Sequence, residues 1–130
     1  MSAAADFTSE AAAVAAVMQR YFDGLHHSDP ALLATVFHPQ AHYFCATDGS
    51  LLHFDMAQYF PVVAKRPSPA SQGHLRSDRI ASMEFAGPVT VFVKAECAIP
   101  PKAFIDLLTL VKLEGEWRIV SKVFHYTLEA

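Results

Sequence analysis

Tyr21, Asp106 and His125 are the residues in this chain best suited to hold or move a proton. A tyrosine hydroxyl can donate a hydrogen bond to a carbonyl oxygen while its ring packs among apolar neighbours. His125 shares one strand parity with Ser121, and imidazole titrates near neutrality, which suits a general base. The structural alternative for His125 is a core residue bonded to backbone. Asp106 is the lone carboxylate of the segment KAFIDLLTLVKL. Side-chain alternation turns it outward with Lys112, where it could pair with Lys94, Lys122 or a second chain; a β-bulge would reverse that facing.

Other polar candidates are weaker. His42 and His53 fall on one face of a hairpin as diagonal neighbours, and His38 precedes His42 by a helical spacing that Pro39 interrupts. Zinc usually takes three or four ligands, so solvent-facing histidines are the simpler reading, with no metal and no cofactor. Cys45 would be a nucleophile only beside a positive neighbour, and no Cys-His-Asp spacing accompanies it; an inert buried thiol is expected.

The elements that must position these residues are legible in order. Val14, Val17, Met18, Tyr21, Phe22 and Leu25 repeat with a 3.6-residue period, predicting an amphipathic helix that Thr8 could cap. Asp29-Pro30 opens a second, short helix carrying Leu32, Leu33, Val36 and Phe37, and Pro39 prevents its continuation. Asp48-Gly49 predicts a tight hairpin in which Cys45 opposes Leu52 and Phe44 opposes His53. Asp55 and Gln58 form a capping-box pattern for a third helix, which Pro61 should break or kink. RIASMEF, VTVFVKAECAI, KAFIDLLTLVKL and WRIVSKVFHYTL then read as strands. Helices followed by a strand meander give an α+β fold, one domain over residues 1–130 with 1–7 as a flexible lead.

On the last three strands every charge falls on one parity. The uncharged parity, including Val91, Leu107, Thr109, Trp117, Ile119, Ser121 and His125, is therefore expected to face the helices. The charged parity also carries Phe92, Leu108, Leu110, Val120, Phe124 and Tyr126. Such a patch predicts a homodimer packed through the outer sheet face.

Composition narrows the classes. The chain has 130 residues, 52% hydrophobic and 18% charged, with formal net charge −3, enough for a real core and unlike a disordered segment. No basic cluster exceeds Lys65-Arg66, which argues against nucleic acid binding. No run approaches a membrane span, and the alanine-rich start, interrupted by Asp6 and Glu10, does not read as a signal peptide. Cytoplasm, with Cys45 and Cys97 as free thiols, is the expected compartment.

The segments YFDGLHHSDPALLATVFHPQA, VVAKRPSP and FIDLLTLVKLEGEWRIVSKVF resemble the nuclear-transport-factor-2-like superfamily of cone-shaped α+β domains, and within it the "putative lumazine-binding", SnoaL-related family. The resemblance covers nearly the whole chain and implies helices packed on a curved antiparallel sheet around a central pocket. It implies a small apolar ligand, with Phe22, Phe37, Tyr43, Cys45, Tyr59, Thr109, Trp117 and Ser121 as walls. Alongside ketosteroid isomerases, Tyr21 matches a helix tyrosine that donates to a developing oxyanion. The isomerase base falls at Cys45 and its second acid near Thr109, so two of three roles are missing. Fold does not fix function in this superfamily. Three roles stand open: an apolar-ligand binding domain; a lyase or isomerase of a hydrophobic cyclic or carbonyl substrate, with Tyr21 donating and His125 moving a proton; and a scaffold with a filled cone. An enzyme of the second kind requires Tyr21 and His125 to face one space.

Overall fold

A computed structural model describes residues 7–129; residues 1–6 of the expected flexible lead lie outside the described residues, and Phe7 is already helical. The order is α1 (Phe7–His26), α2 (Pro30–Leu33), β1 (Phe37–Cys45), β2 (Leu52–Asp55), α3 (Met56–Lys65), β3 (Arg79–Phe85), β4 (Thr90–Ile99), β5 (Lys102–Leu113) and β6 (Glu116–Leu128). All six strands form one sheet in the order β2-β1-β6-β5-β4-β3. Neighbours run antiparallel except β1 and β6, which pair parallel.

The helices obey their sequence signals with three differences. The first is that α2 ends at Leu33, so that Val36 lies beyond it and Phe37 and Pro39 belong to β1 rather than to the end of the helix. Val14, Val17, Met18, Tyr21, Phe22 and Leu25 are all buried, so the periodic face of α1 is the face laid on the sheet. The helix starts at Phe7, which puts Thr8 inside it rather than at its cap. Asp29 caps α2, its Oδ1 accepting from Leu32 N–H at 3.1 Å. The sharp reversal from α1 to α2 depends on Gly24: a Cβ there would sit 2.6 Å from Leu33 Cδ2, and Leu33 is fully buried and cannot retreat. Asp55 and Gln58 close a complete capping box on α3. Pro61 does not end α3, which continues to Lys65. Pro61 and Ala57, the residue whose carbonyl loses its partner, are both exposed, so water satisfies what the proline removes.

The β1–β2 hairpin has the expected register, Cys45 opposite Leu52 and Phe44 opposite His53. Its turn is looser than a two-residue loop: Gly49 N–H bonds Ala46 C=O at 3.1 Å, and Gly49 takes φ +94°. The β5–β6 turn is tight, with Glu114 and Gly115 both at positive φ (52° and 80°), the pairing of angles a type I′ hairpin requires.

Strand facing departs from the charge rule, and this reorganises the interior. On β4, Val91, Val93, Ala95 and Cys97 face inward as expected. On β5 the facing is reversed: Asp106, Leu108 and Leu110 are buried, while Ile105 and Leu107 are exposed on the outer surface. On β6 both parities are used. Trp117 and Ile119 are buried, then Lys122 and Phe124 are buried, with Val123 exposed. The switch is a β-bulge. Pairing runs Leu110 to Ile119 but Thr109 to Ser121, leaving Val120 as the extra residue on β6. One surplus residue turns every later side chain to the opposite face.

The outer-face membership changes accordingly. Leu108, Leu110 and Phe124 belong to the core and not to an interface; Tyr126 is half-buried on the inner side, Val120 is half-buried at the bulge, and Phe92 alone of the six faces clearly outward. Ile105, Leu107 and Val123 take the vacated outer positions, together with the ring stack His42–Phe44–His53.

Candidate functional site

Asp106 and Lys122 are the only buried charged residues among the described ones, and they face each other across β5 and β6. Lys122 Nζ lies 4.0 Å from Asp106 Oδ2. Tyr21 on α1 donates its hydroxyl to the same oxygen at 2.5 Å, a length typical of a bond to a charged carboxylate. Cys97 Sγ approaches that oxygen at 3.7 Å. Oδ1 of Asp106 has no hydrogen-bond partner. Asp106 therefore points into the cone, not outward with Lys112. Lys112 instead bonds Glu10 at 2.7 Å, and Trp117 Nε1 bonds the same carboxylate at 3.0 Å, fastening the start of α1 to the far end of the sheet.

Lys122 is caged by aromatic faces. Its ammonium is 5.2 Å from the Tyr21 ring centroid, 5.3 Å from Tyr43, 5.6 Å from Tyr59 and 5.1 Å from Phe124. Desolvated cation–π contacts of this kind contribute about 2 kcal/mol. Burial by itself would lower the lysine's pKa, but the Asp106 carboxylate, reinforced by the surrounding phenols, outweighs it and holds the ammonium above its ordinary range. Tyr21 is raised well above its ordinary value, first by burial and then by the Asp106 charge, so it stays a donor. Burial raises Tyr43 to about 12 and lifts the Cys97 thiol as well, which keeps Cys97 from acting as a thiolate.

A folded-state pKa above the unfolded one makes the lysine's contribution to stability whole below about pH 10.5, lost only as pH rises beyond it. We expect the stability difference between the wild type and Lys122→Met to stay flat from pH 7 to 10 in denaturant titrations and to shrink above that range.

Above this cluster the cone is open. A cleft of about 640 Å³ lies between α3, the β4–β5 turn and the ends of β1 and β6, with Tyr43, Phe54, Phe104, Phe124 and Tyr126 among its walls. This volume is of small-molecule size. It narrows to a throat of about 10 Å³, room for roughly one water, lined by Tyr43, Tyr59, Arg66, Cys97 and Lys122 among others. The hydroxyl of Tyr59 is buried there without a hydrogen-bond partner. The cone is thus filled at its base and open at its mouth, which is neither the empty funnel nor the sealed scaffold.

The expected walls divide three ways. Tyr43 and Tyr59 line the cleft and throat. Phe22, Phe37, Cys45 and Trp117 are buried but line neither; Phe37, for instance, packs edge-on against Tyr21 and Tyr59. Thr109 and Ser121 pair with each other on the outer face. His125 is also outside, beyond the bulge, exposed with its Nδ1 2.8 Å from Thr47 Oγ1. Tyr21 and His125 therefore do not share a space and form no donor–base pair. Its place is taken by Tyr21–Asp106–Lys122, with Tyr59 and Arg66 at the throat. His42 and His53 lie side by side on the exposed face, Nδ1 to Nε2 at 2.7 Å, while His38 Nδ1 accepts from Gln40 N–H.

Comparison with known proteins agrees with this architecture. A family profile described as "Putative lumazine-binding" matches residues 9–125. A curated relative, "Aldolase FrzH" of Cladobotryum sp, is 28% identical over 120 residues, covering 91% of this chain and 92% of the relative. Among solved structures, an NTF-2 like protein of unknown function from Silicibacter pomeroyi superposes with TM-score 0.84 at 24% identity, covering 94% of this chain and 99% of that one. A ketosteroid isomerase-like protein from Erwinia carotovora atroseptica superposes with TM-score 0.72 at 14% identity, covering 92% and 98%. These structures share the fold.

Proposed function

Because the chain belongs to the family described as "Putative lumazine-binding", on a fold whose mouth is open above a buried ion pair, we propose that it is an enzyme of enolate chemistry. It binds a small, largely apolar carbonyl compound in the cleft and makes or breaks a bond at the neighbouring carbon. The observation that carries this reading is a lysine kept charged in an aromatic cage beside an unpartnered tyrosine hydroxyl at the floor of the cleft. Both groups suit an oxygen that gains negative charge. The electron pair of the broken C–H bond moves onto the carbonyl oxygen, and the proton passes inward to the Asp106 carboxylate, which lies 4.0 Å from Lys122 behind the throat. In an aldol reaction the enolate carbon then bonds to a second carbonyl carbon, whose oxygen takes up the proton. Set beside Asp106 and among four aromatic rings, Lys122 acts as an electrostatic partner in this reading. The aldolase relative and the isomerase-like structure both carry names from this class of chemistry, which supports the reading.

Deuterium uptake by 4-phenylbutan-2-one tests it. The wild type should exchange the hydrogens next to the carbonyl faster than buffer. Tyr59→Phe should slow this by about 100-fold, the loss typical of one oxyanion donor. The same substitution should leave stability unchanged or raise it by about 1 kcal/mol, since it removes a buried hydroxyl that bonds nothing. Exchange no faster than buffer with the wild type removes the enolate reading.

We further propose that two copies pack through the outer sheet face. Phe92, Ile105, Leu107 and Val123 are each 37–43% exposed there and adjoin one another across β4, β5 and β6. Among the described residues no helix is long and apolar enough to cross a membrane. The two free thiols, Cys45 and Cys97, suit a reducing compartment such as the cytoplasm.

A further inference from the structure

Arg66 presents two buried N–H groups, Nε and Nη2, with no hydrogen-bond partner. Those two groups form the side-on edge of a guanidinium, the fork that grips a carboxylate through two parallel bonds. Their isolation is unusual in this chain, because Arg76, Arg79 and Arg118 are all engaged in ion pairs. Arg66 lines both the throat, with Tyr59 and Lys122, and the mouth above it. Its backbone is fixed: it is the extended residue that ends α3, its N–H bonds Val63 C=O at 3.2 Å, and Pro67 follows.

Charge balance points the same way. Lys122 is matched by Asp106, so the throat has one cation left over, and that cation is Arg66. Asp48 also lines the mouth, but its Oδ1 already accepts from the backbone N–H and the hydroxyl of Ser50. A neutral ligand would leave the Arg66 edge dry and unsatisfied; an anionic ligand would complete it.

We propose that the ligand of this cleft is a hydrophobic oxo acid. Its carboxylate sits on the Nε–Nη2 edge of Arg66, its ketone oxygen reaches Tyr59 and Lys122, and its apolar body lies against Phe124 and Tyr126. The ketone assignment rests on the enolate reading; the carboxylate assignment stands on Arg66 alone.

The test uses a matched pair of probes, 3-phenylpropanoate and 3-phenylpropanamide, titrated into the full chain by calorimetry at pH 7. The acid should bind at least tenfold more tightly than the amide. Arg66→Gln should bring the two within twofold, and Arg66→Lys should recover only part of the preference, since a point charge lacks the fork. Equal affinity of acid and amide for the wild type overturns the proposal, as does failure of both to bind. A preference that survives Arg66→Gln also overturns it, because Lys122 in the throat or Lys102 at the mouth would then be its source. The wild-type comparison decides even where a variant fails to fold. Deuterium exchange of phenylpyruvate separates the two readings. An Arg66-dependent acid preference without exchange keeps the fork and removes the enolate step; exchange without acid preference does the reverse.

Discussion

Asp106→Asn should abolish deuterium exchange and also weaken the fold. The substitution keeps the shape of the side chain and removes its charge and its basicity. Loss of a positioned general base costs about 10²–10⁴-fold in rate. The stability loss has a different origin. Lys122 is enclosed by rings except where it meets the throat, so without Asp106 it becomes a buried cation with no counter-charge. Removing one partner of such a pair costs about 3–5 kcal/mol. The double variant Asp106→Leu/Lys122→Met separates the effects. Two apolar side chains of similar size should restore most of the lost stability, because neither unpaired charge remains. Activity should not return. Denaturant titration and the exchange assay on the two single variants and the double variant measure this. If Asp106→Asn is as stable as the wild type, the pair is not buried as described.

Leu107→Glu should convert a dimer into a monomer that remains folded. Leu107 lies in the middle of the outer patch, between Lys94 on β4 and Val123 on β6. It is 37% exposed in the isolated chain, so the substitution leaves the core alone. At a twofold interface each substitution acts twice, and two carboxylates would be desolvated against apolar neighbours. The dissociation constant should rise at least ~100-fold. The neighbouring change, Leu108→Glu, should behave in the opposite way: Leu108 is fully buried, and a charge there unfolds the chain instead of parting two copies. Sedimentation velocity with circular dichroism distinguishes the two outcomes. A wild type that sediments as a monomer at high concentration removes the interface.

Helices, caps and the first hairpin register were legible because their signals are local. The α1 stripe, the Asp29 and Asp55 caps and the pairing of Phe44 with His53 each depend on residues within a few positions of one another. Charge does not report facing in β5 and β6, because the two interior charges, Asp106 and Lys122, are the ones the fold uses. Part of the answer was available. Treating Pro100-Pro101 as a two-residue turn pairs Ile99 with Lys102, which sets Val93 against Leu108 and puts Asp106 on the inner face. Beyond β5, the bulge in β6 breaks this simple register. Nothing in RIVSKVF marks Val120 as surplus, since the strand reads equally well in either register. Lys122 entered the site through that bulge, and His125 left it the same way. Arg66 is hidden for a different reason: beside Lys65 and before Pro67 it reads as loop polarity, and only the folded chain brings it to the throat that Tyr59 also lines.

The surplus valine has a consequence for how such a site could change. Pairing Val120 with Thr109, instead of bulging it, would exchange the contents of the cavity wholesale, carrying a serine, a valine and an imidazole in and the ammonium and its phenyl neighbour out. Deleting Val120 would not, since Ser121 would stay opposite Thr109 and Lys122 opposite Leu108. Substitution must remake an active centre one side chain at a time; a one-residue change of register in this strand replaces several at once. Descendants of one ancestral cone could thus acquire unrelated reactivities through the gain or loss of a bulge, with no change in chain length.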